Sequence, residues 1–263
     1  MRRAFLVVFV VATVLLAGCS GTDATAGGAA PATTASGPGD TGTDQTGDGA
    51  GADDGAAAVG DPAAILATAG SYTATWRYTL AEGAATTQTQ EFVVAVDRVA
   101  NRSFERSLTT DGTDTIAYER YSADGASYLK YGEGDEAYYR SGPQDTTVIA
   151  DPMTDADPGD LSEFTHVGTE QFDGVTVDRY EYADPLLWRS YAAGTMGGTD
   201  NVTVTDFRLV VLVDRDGLAR STSWEVTAEG ADGTPITSAW AYEITKVGAT
   251  VVQEPAWLDA ARA

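Results

Sequence analysis

Cysteine and histidine are the scarcest informative residues in this 263-residue sequence, and each shortage excludes a class of protein. The single cysteine, Cys19, has no partner for a disulfide within the chain. The single histidine, His166, lies in no recognisable catalytic pattern, and the sequence lacks G-x-S-x-G, H-E-x-x-H and a phosphate-binding glycine loop. A solvent-facing or packed His166 is therefore the better interpretation, and we expect a protein that is not an enzyme and needs no cofactor.

Basic residues are also few, because 16 Lys and Arg stand against 39 Asp and Glu for a formal net charge of −23. The clustered Lys and Arg that bind a phosphate backbone are absent, which argues against nucleic-acid partners. Hydrophobic residues make up 43 % of the chain, so the acidity accompanies a core rather than disorder. Such self-repulsion is tolerated in high salt, where the Debye length falls to about 3 Å at 1 M, and the composition favours a halophilic protein.

The N-terminus has the features of an export signal. Arg2 and Arg3 precede an apolar run of about 14 residues, which suits a signal peptide and is shorter than the roughly 20 residues of a membrane-spanning helix. The run ends in Leu-Ala-Gly-Cys at Cys19, which resembles the bacterial and haloarchaeal lipobox. That resemblance implies removal of residues 1–18, acylation of the Cys19 thiol and anchoring at the extracellular face of the cell membrane. The alternative is different or absent cleavage, with Cys19 a bystander.

Residues 19–60 contain no aromatic residue and consist largely of Gly, Ala, Thr, Asp and Pro. Such a segment cannot bury enough apolar surface to offset its conformational entropy, so we predict a disordered, lipid-anchored linker. A Gly-rich coil of this length spans about 35 Å, enough to hold a domain clear of the lipid surface. The remainder, residues 61–263, has the size of one domain.

Alternation of apolar and polar residues with a period of two dominates this domain. Residues 71–80 place Tyr72, Trp76 and Tyr78 on one face, as in a half-buried strand. Further β-type runs cover residues 91–97, 101–109, 113–122, 126–131, 136–141, 165–172, 175–183, 201–214, 218–229 and 235–246. About eleven strands must curl because twist accumulates across a sheet. We therefore expect a mainly β fold, a single curved antiparallel sheet of half-barrel type covered by short helices.

Two short helices are predicted from their starting residues. Asp61 as N-cap with Pro62 at the first helical position begins one ahead of the first strand, and Asp184 with Pro185 begins another. Residues 151–164 are too rich in Asp, Pro and Gly for a strand, and predict a loop with one helical turn near Leu161.

Strand order and turn placement resemble half-barrel lipoprotein carriers of the LolA, LolB and LprG type. The segments that carry the resemblance are residues 72–78, 167–175, 184–188, 213–218, 242–244 and 254–258. The resemblance implies a curved sheet, closed on one side by helices, that holds acyl chains in an apolar groove. Carriers of that type usually work free of the membrane, whereas Cys19 implies that this chain stays attached.

The side chains expected to line such a groove are aromatic residues that alternation places on one face of the strands or on the second helix. They are Tyr72, Trp76, Tyr78, Phe92, Trp188, Trp224 and Trp240. The alternative is that they are ordinary core residues, since aromatic side chains dominate any β core.

Two functions of different class remain open. The first is a lipid-anchored protein of the cell envelope that binds a hydrophobic, lipid-like ligand. The second is a structural or protein-interaction surface lipoprotein with no ligand cavity. The apolar run of residues 209–212 indicates a strand covered on both faces and favours the first.

Modification and metal sites are the last candidates. Asn101 and Asn201 each begin an N-glycosylation sequon, so an exported chain could be a glycoprotein. The Asp residues between 151 and 160 offer oxygen ligands, but their spacing does not match an EF-hand. We interpret them as solvated acidic surface and expect no metal.

Overall fold

A computed structural model of the chain describes residues 59–150, 158–185 and 202–263. The strands are β1 (Ser71–Glu82), β2 (Ala85–Asp97), β3 (Arg102–Asp111), β4 (Asp114–Ala123), β5 (Ala126–Tyr131), β6 (Tyr138–Pro143), β7 (Thr165–Phe172), β8 (Val175–Tyr182), β9 (Val202–Asp214), β10 (Ala219–Gly230) and β11 (Pro235–Thr245). They form one open antiparallel sheet in the order β6-β5-β4-β3-β2-β1-β11-β10-β9-β8-β7. The predicted mainly β, half-barrel architecture is confirmed.

The sheet consists of two meanders joined along its middle. Strands β1 to β6 run outward to one edge, and the chain then returns from the other edge through β7 to β11. The two meanders meet where β1 pairs with β11, from Thr73↔Thr245 to Glu82↔Ile236. The first and last strands along the chain, β1 and β11, are therefore neighbours in the middle of the sheet. Their pairing joins the two ends of the domain.

Most strand limits agree with the sequence expectation to within three residues, and β2 is the main exception. It begins at Ala85 rather than near Glu91, because Ala85 pairs with Glu82 across a tight turn. Residues 86–90 are Thr and Gln, which show no hydrophobic alternation, so their strand conformation follows from pairing with the neighbouring strands β1 and β3.

Helix α1 (Pro62–Ala69) begins and ends as its sequence predicts. The Asp61 carboxylate accepts hydrogen bonds from the backbone N–H groups of Ala63 and Ala64 at 2.9 and 3.2 Å. Gly70 ends the helix in the left-handed conformation, with φ of 77°. Leu66 is fully buried and attaches the helix to the sheet.

Two further helices were not expected from the sequence: α2 (Thr147–Ala150) and α3 (Leu258–Arg262). The Thr-Val-Ile of α2 has β propensity, and tertiary contacts override it. Near Leu161 the expected turn is present, since the N–H of Phe164 donates to the carbonyl of Leu161. The second predicted helix, with Trp188, lies outside the described residues. No helix in the described ranges is long and apolar enough to cross a membrane.

Directly paired residues share a face of the sheet, which defines two faces. The Trp76 face includes the row that crosses the whole sheet through Trp76, namely Tyr138, Tyr131, Tyr118, Ser107, Phe92, Trp76, Tyr242, Thr222, Val211, Tyr180 and His166. The Arg77 face is the opposite one.

Each face is covered over a different part of the sheet. On the Trp76 face, Leu66 of α1 and Ile149 of α2 pack against Tyr72, Val94 and other residues of the central strands. On the Arg77 face, the segment of residues 247–263, which we name the C-terminal strap, packs Val252 and Leu258 against the β3–β6 region. The chain thus builds its core on opposite sides of one sheet.

Candidate functional site

Six of the seven predicted lining residues lie together on the Trp76 face. Direct strand pairing joins Trp76 to Phe92, Tyr78 to Trp240, and Trp240 to Trp224. Tyr72 lies on the same face of β1, beside α1 and α2. The seventh, Trp188, is outside the described residues.

These six side chains differ in burial. Tyr72, Tyr78 and Trp224 are buried, with 0, 5 and 5 % of their surface exposed. Trp76, Phe92 and Trp240 are half-buried and pack against the edges of the core. The first three therefore have the environment of core residues, and the last three have apolar surface left to contact a ligand. Their role as ligand contacts stays a prediction.

Trp76 and Trp240 each pack against two apolar clusters. One cluster lies under α1 and α2, and the other is centred on Phe207 and Val226 in β9 and β10. The ring of Trp240 stacks on that of Trp224 with centroids 6.4 Å apart and planes 15° apart. The two tryptophans join the clusters into one continuous apolar surface.

Three tyrosines extend this surface toward the β6 edge, and the sequence analysis missed them. Tyr118, Tyr131 and Tyr138 continue the Trp76 row beyond Phe92 and Ser107. Ring centroids are 5.2 Å apart between Tyr118 and Tyr131 and 4.8 Å apart between Tyr131 and Tyr138. Alternation within each strand was visible in the sequence, but the alignment of the rings depends on the register of strands β2 to β6.

This row is exposed at its outer end. Tyr138 at the edge strand is 53 % exposed, and Ile116, on the same face of β4, is 66 % exposed. Trp76 at the other end is half-buried beside the core. The Trp76 face therefore presents a row of aromatic rings, interrupted at Ser107, from the exposed sheet edge to the apolar centre.

A charged cluster borders the tyrosines. Arg120 lies 3.5 Å from the Glu105 carboxylate, pairs with Asp145, and donates from Nε to the Tyr118 hydroxyl at 2.5 Å. Burial raises the pKa of Glu105, although the Arg120 charge opposes that shift. Burial likewise raises the pKa of Tyr118 to about 12. The cluster attaches the segment before α2, which contains Asp145, to the Trp76 face.

His166 lies at the β7 edge and pairs with one acidic residue. Its Nε2 is 3.0 Å from Asp178 Oδ1, and its ring lies 5.1 Å from that of Tyr180. Both members of the pair are partly exposed. This is a solvent-facing histidine with an acidic neighbour. No group of three potential metal ligands occurs among the described residues.

The Arg77 face carries a shallow groove of about 330 Å³ that sequence reasoning did not anticipate. Its floor consists of the small residues Ala239, Ala241 and Ser223, and its sides include Arg77 and Arg208. Each arginine is neutralised by neighbouring carboxylates. Arg77 contacts Glu91 and Glu243 at 3.3 and 2.8 Å, and Arg208 contacts Glu181. Partly exposed pairs of this kind contribute little to stability and identify no ligand.

Of the two sequon asparagines, only Asn101 lies within the described residues. Asn101 is exposed in the turn between β2 and β3, where its φ is 52°. Asn201 lies outside the described residues, as does Cys19. In the acidic loop, Asp160 accepts a hydrogen bond from the N–H of Ser162 at 2.8 Å, which is a local turn contact rather than a ligand arrangement.

The fold and the aromatic face together define a class, an open antiparallel half-barrel with one face available for apolar contacts. The profile of a family of unknown function, DUF7537, matches residues 4–261, and the chain belongs to that family. No curated protein matches the sequence.

Two solved structures show distant similarities of fold. LprF from Mycobacterium bovis is 11 % identical with a TM-score of 0.34, and the match covers 74 % of this chain and 96 % of LprF. The LolA superfamily protein NE2245 from Nitrosomonas europaea is 10 % identical with a TM-score of 0.17, and again the match covers 74 % of this chain and 96 % of that one.

Proposed function

We propose that this protein is a membrane-anchored lipoprotein of the cell envelope that holds a hydrophobic, lipid-like ligand on its Trp76 face and catalyses no reaction. The ligand would lie against Trp76, Phe92 and Trp240, and Trp188 would contribute from the second predicted helix. The tyrosines of the Trp76 row would offer a path from the β6 edge.

The half-buried aromatic surface supports this proposal most directly. Tyr72 is fully buried and has no surface left to contact a ligand. Trp76, Phe92 and Trp240 instead retain accessible surface next to an apolar cluster. An acyl chain would remove that surface from water at a gain of about 25 cal/mol per Å².

The anchoring part of the proposal rests on the N-terminal sequence. Residues 1–18 would be cleaved, Cys19 would carry the lipid, residues 19–60 would act as a flexible linker, and the domain of residues 61–263 would work at the extracellular face of the membrane. The acidic composition would suit a high-salt environment.

Ligand binding is tested on the full chain purified in high salt. Native mass spectrometry should detect a co-purifying amphiphile, and a fluorescent long-chain fatty acid should bind saturably. Phe92→Gln should weaken binding of the fatty acid at least tenfold. Val93→Thr, on the Arg77 face of the same strand, should leave it unchanged. A wild-type chain with no co-purifying amphiphile and no saturable binding would support the structural or protein-interaction alternative.

Anchoring is tested separately with Cys19→Ser. The variant should fold and be released from the membrane fraction, because no second thiol is present to carry the lipid. Membrane association equal to wild type would contradict the assignment of Cys19.

A further inference from the structure

The sequon at Asn101 is divided between the surface and the interior of the domain. Asn101 is exposed in the turn after β2, whereas Ser103, which supplies the hydroxyl of the sequon, is 1 % exposed. An enzyme that recognises Asn-x-Ser must contact both the acceptor amide and that hydroxyl. The folded domain presents only the amide.

Ser103 is buried among cross-strand neighbours that are themselves buried. Ser103 lies on the Trp76 face of β3 between Val96 of β2 and Ser122 of β4, both of which have no exposed surface. Within the described part of the chain, its hydroxyl has no hydrogen-bond partner. Nearby, Ser122 and Ser127 share a hydrogen bond of 2.7 Å. Among the described residues, no hydrogen bond of this hydroxyl favours serine over alanine at position 103.

Strand β3, which contains Ser103, is held in the sheet on both sides. β3 pairs with β2 from Asp97↔Arg102 to Gln88↔Asp111, and with β4 along nearly its full length. The turn itself is also held in place, because Gln144 donates from Nε2 to the Asn101 carbonyl at 2.9 Å. Local opening at Asn101 therefore does not make the complete sequon accessible.

We infer that Asn101 is an N-glycan acceptor that can be modified only before the domain folds. A glycan at Asn101 would then show that the chain was still unfolded when it reached the transferase. The inference depends on export, as the proposed function does, but not on ligand binding. The donor would be an oligosaccharide linked to a polyprenyl phosphate. In the transfer, Asn101 Nδ2 bonds to the sugar C1 and loses a proton. The bond from C1 to the phosphate oxygen breaks, and the phosphate leaves with the electron pair.

The experiment uses the full chain with Asn201→Gln, which leaves Asn101 as the only asparagine. The chain is made by cell-free translation, either with membranes that contain the transferase and donor, or with the same membranes added after folding. A peptide of residues 97–107 is a third acceptor that cannot form the sheet. Occupancy at Asn101 is measured by intact mass and by peptide mapping.

The peptide and the nascent chain should be glycosylated, and the folded chain should be modified at least tenfold less. Ser103→Ala should abolish modification in every arm and Ser103→Thr should retain it in the nascent chain, while both variants fold. Equal occupancy of folded and nascent chains would overturn the timing. Absence of modification in the peptide and nascent chain, with a standard acceptor peptide modified in the same reaction, would overturn the site. Neither result depends on whether the protein binds a lipid.

Discussion

The β3–β6 region and the central strands of the sheet place their apolar cores on opposite faces. In β1, β2 and β11 the fully buried residues, such as Tyr72 and Val96, lie on the Trp76 face under α1 and α2. In β4 the buried Tyr121 lies on the Arg77 face under the C-terminal strap. The half-buried aromatic surface lies within the central strands, where Trp76 and Trp240 join the cluster under α1 and α2 to the cluster centred on Phe207 and Val226. The proposed site is this junction of two apolar clusters on the Trp76 face, on the side of the central strands opposite to the strap-covered face of β4.

The largest expected effect concerns the central core. Tyr72→Ala should lower the free energy of unfolding by about 3 to 5 kcal/mol, the range for large aromatic side chains in a core. Trp76→Ala should cost clearly less, because the side chain is only half-buried. Urea unfolding in high salt measures both. An equal loss for the two variants would show that Trp76 is an ordinary core residue and would break the comparison.

The C-terminal strap should be the second most sensitive element. Leu258→Ala should destabilise the protein by about 2 to 5 kcal/mol, because the buried leucine is part of the core over β4. Hydrogen exchange should accelerate in β4 and β5 more than in β9 and β10. Ile116→Ala, which changes an exposed side chain on the Trp76 face of the same region, should alter stability by less than about 0.5 kcal/mol. A uniform acceleration across the sheet would mean that the strap does not act regionally.

A smaller effect should appear as a pH dependence with opposite signs at two neighbouring carboxylates. Burial raises the pKa of Glu105 above 4.5, so its contribution to stability is full below that value and is lost as the pH rises through the folded-state pKa. A hydrogen bond from the Thr147 N–H lowers the pKa of Asp145 below 3.8, so its contribution is present above that value and is lost as the pH falls.

The variants Glu105→Gln and Asp145→Asn separate these two contributions. The free energy of unfolding should be measured across the acidic range for both variants and wild type. The stability of Glu105→Gln relative to wild type should increase as the pH rises. The stability of Asp145→Asn relative to wild type should increase as the pH falls. Parallel curves for either variant would contradict the assigned environment of that carboxylate.

The smallest effect is expected at Ser103. Ser103→Ala removes a buried hydroxyl that has no partner among the described residues, so it should be neutral or stabilising by about 1 kcal/mol. Ser122→Ala breaks the 2.7 Å bond to Ser127 and should be destabilising instead. A clear loss of stability for Ser103→Ala would show that its hydroxyl is satisfied in solution.

Strand number and class follow from local sequence, because each strand alternates visibly and the turns carry their own signals. Asp124-Gly125 and Asp173-Gly174 were expected as hairpin turns, and all four residues have positive φ. Asp61 and Pro62 likewise specify α1 by short-range contacts. These features need no knowledge of the rest of the chain.

The face that each region buries could not be predicted in the same way. In β3, Phe104 faces the strap while Ser103 and Glu105 face the other side, and both choices satisfy a period of two. The strap reaches β4 from far along the chain, with Trp257 donating to Glu119. The tyrosine row and the Arg120 cluster depend on register across several strands. Local alternation carries no information on the contacts of the strap or on the register between distant strands.

The central claim is that the Trp76 face holds a hydrophobic ligand where the cluster under α1 and α2 meets the cluster centred on Phe207 and Val226. Tryptophan fluorescence during lipid titration tests this claim most directly. With the full chain in high salt, a quencher-labelled fatty acid should quench tryptophan emission saturably, and Trp76→Phe with Trp240→Phe should remove most of that quenching. Quenching that does not saturate, or that persists undiminished in the double variant, would contradict the account.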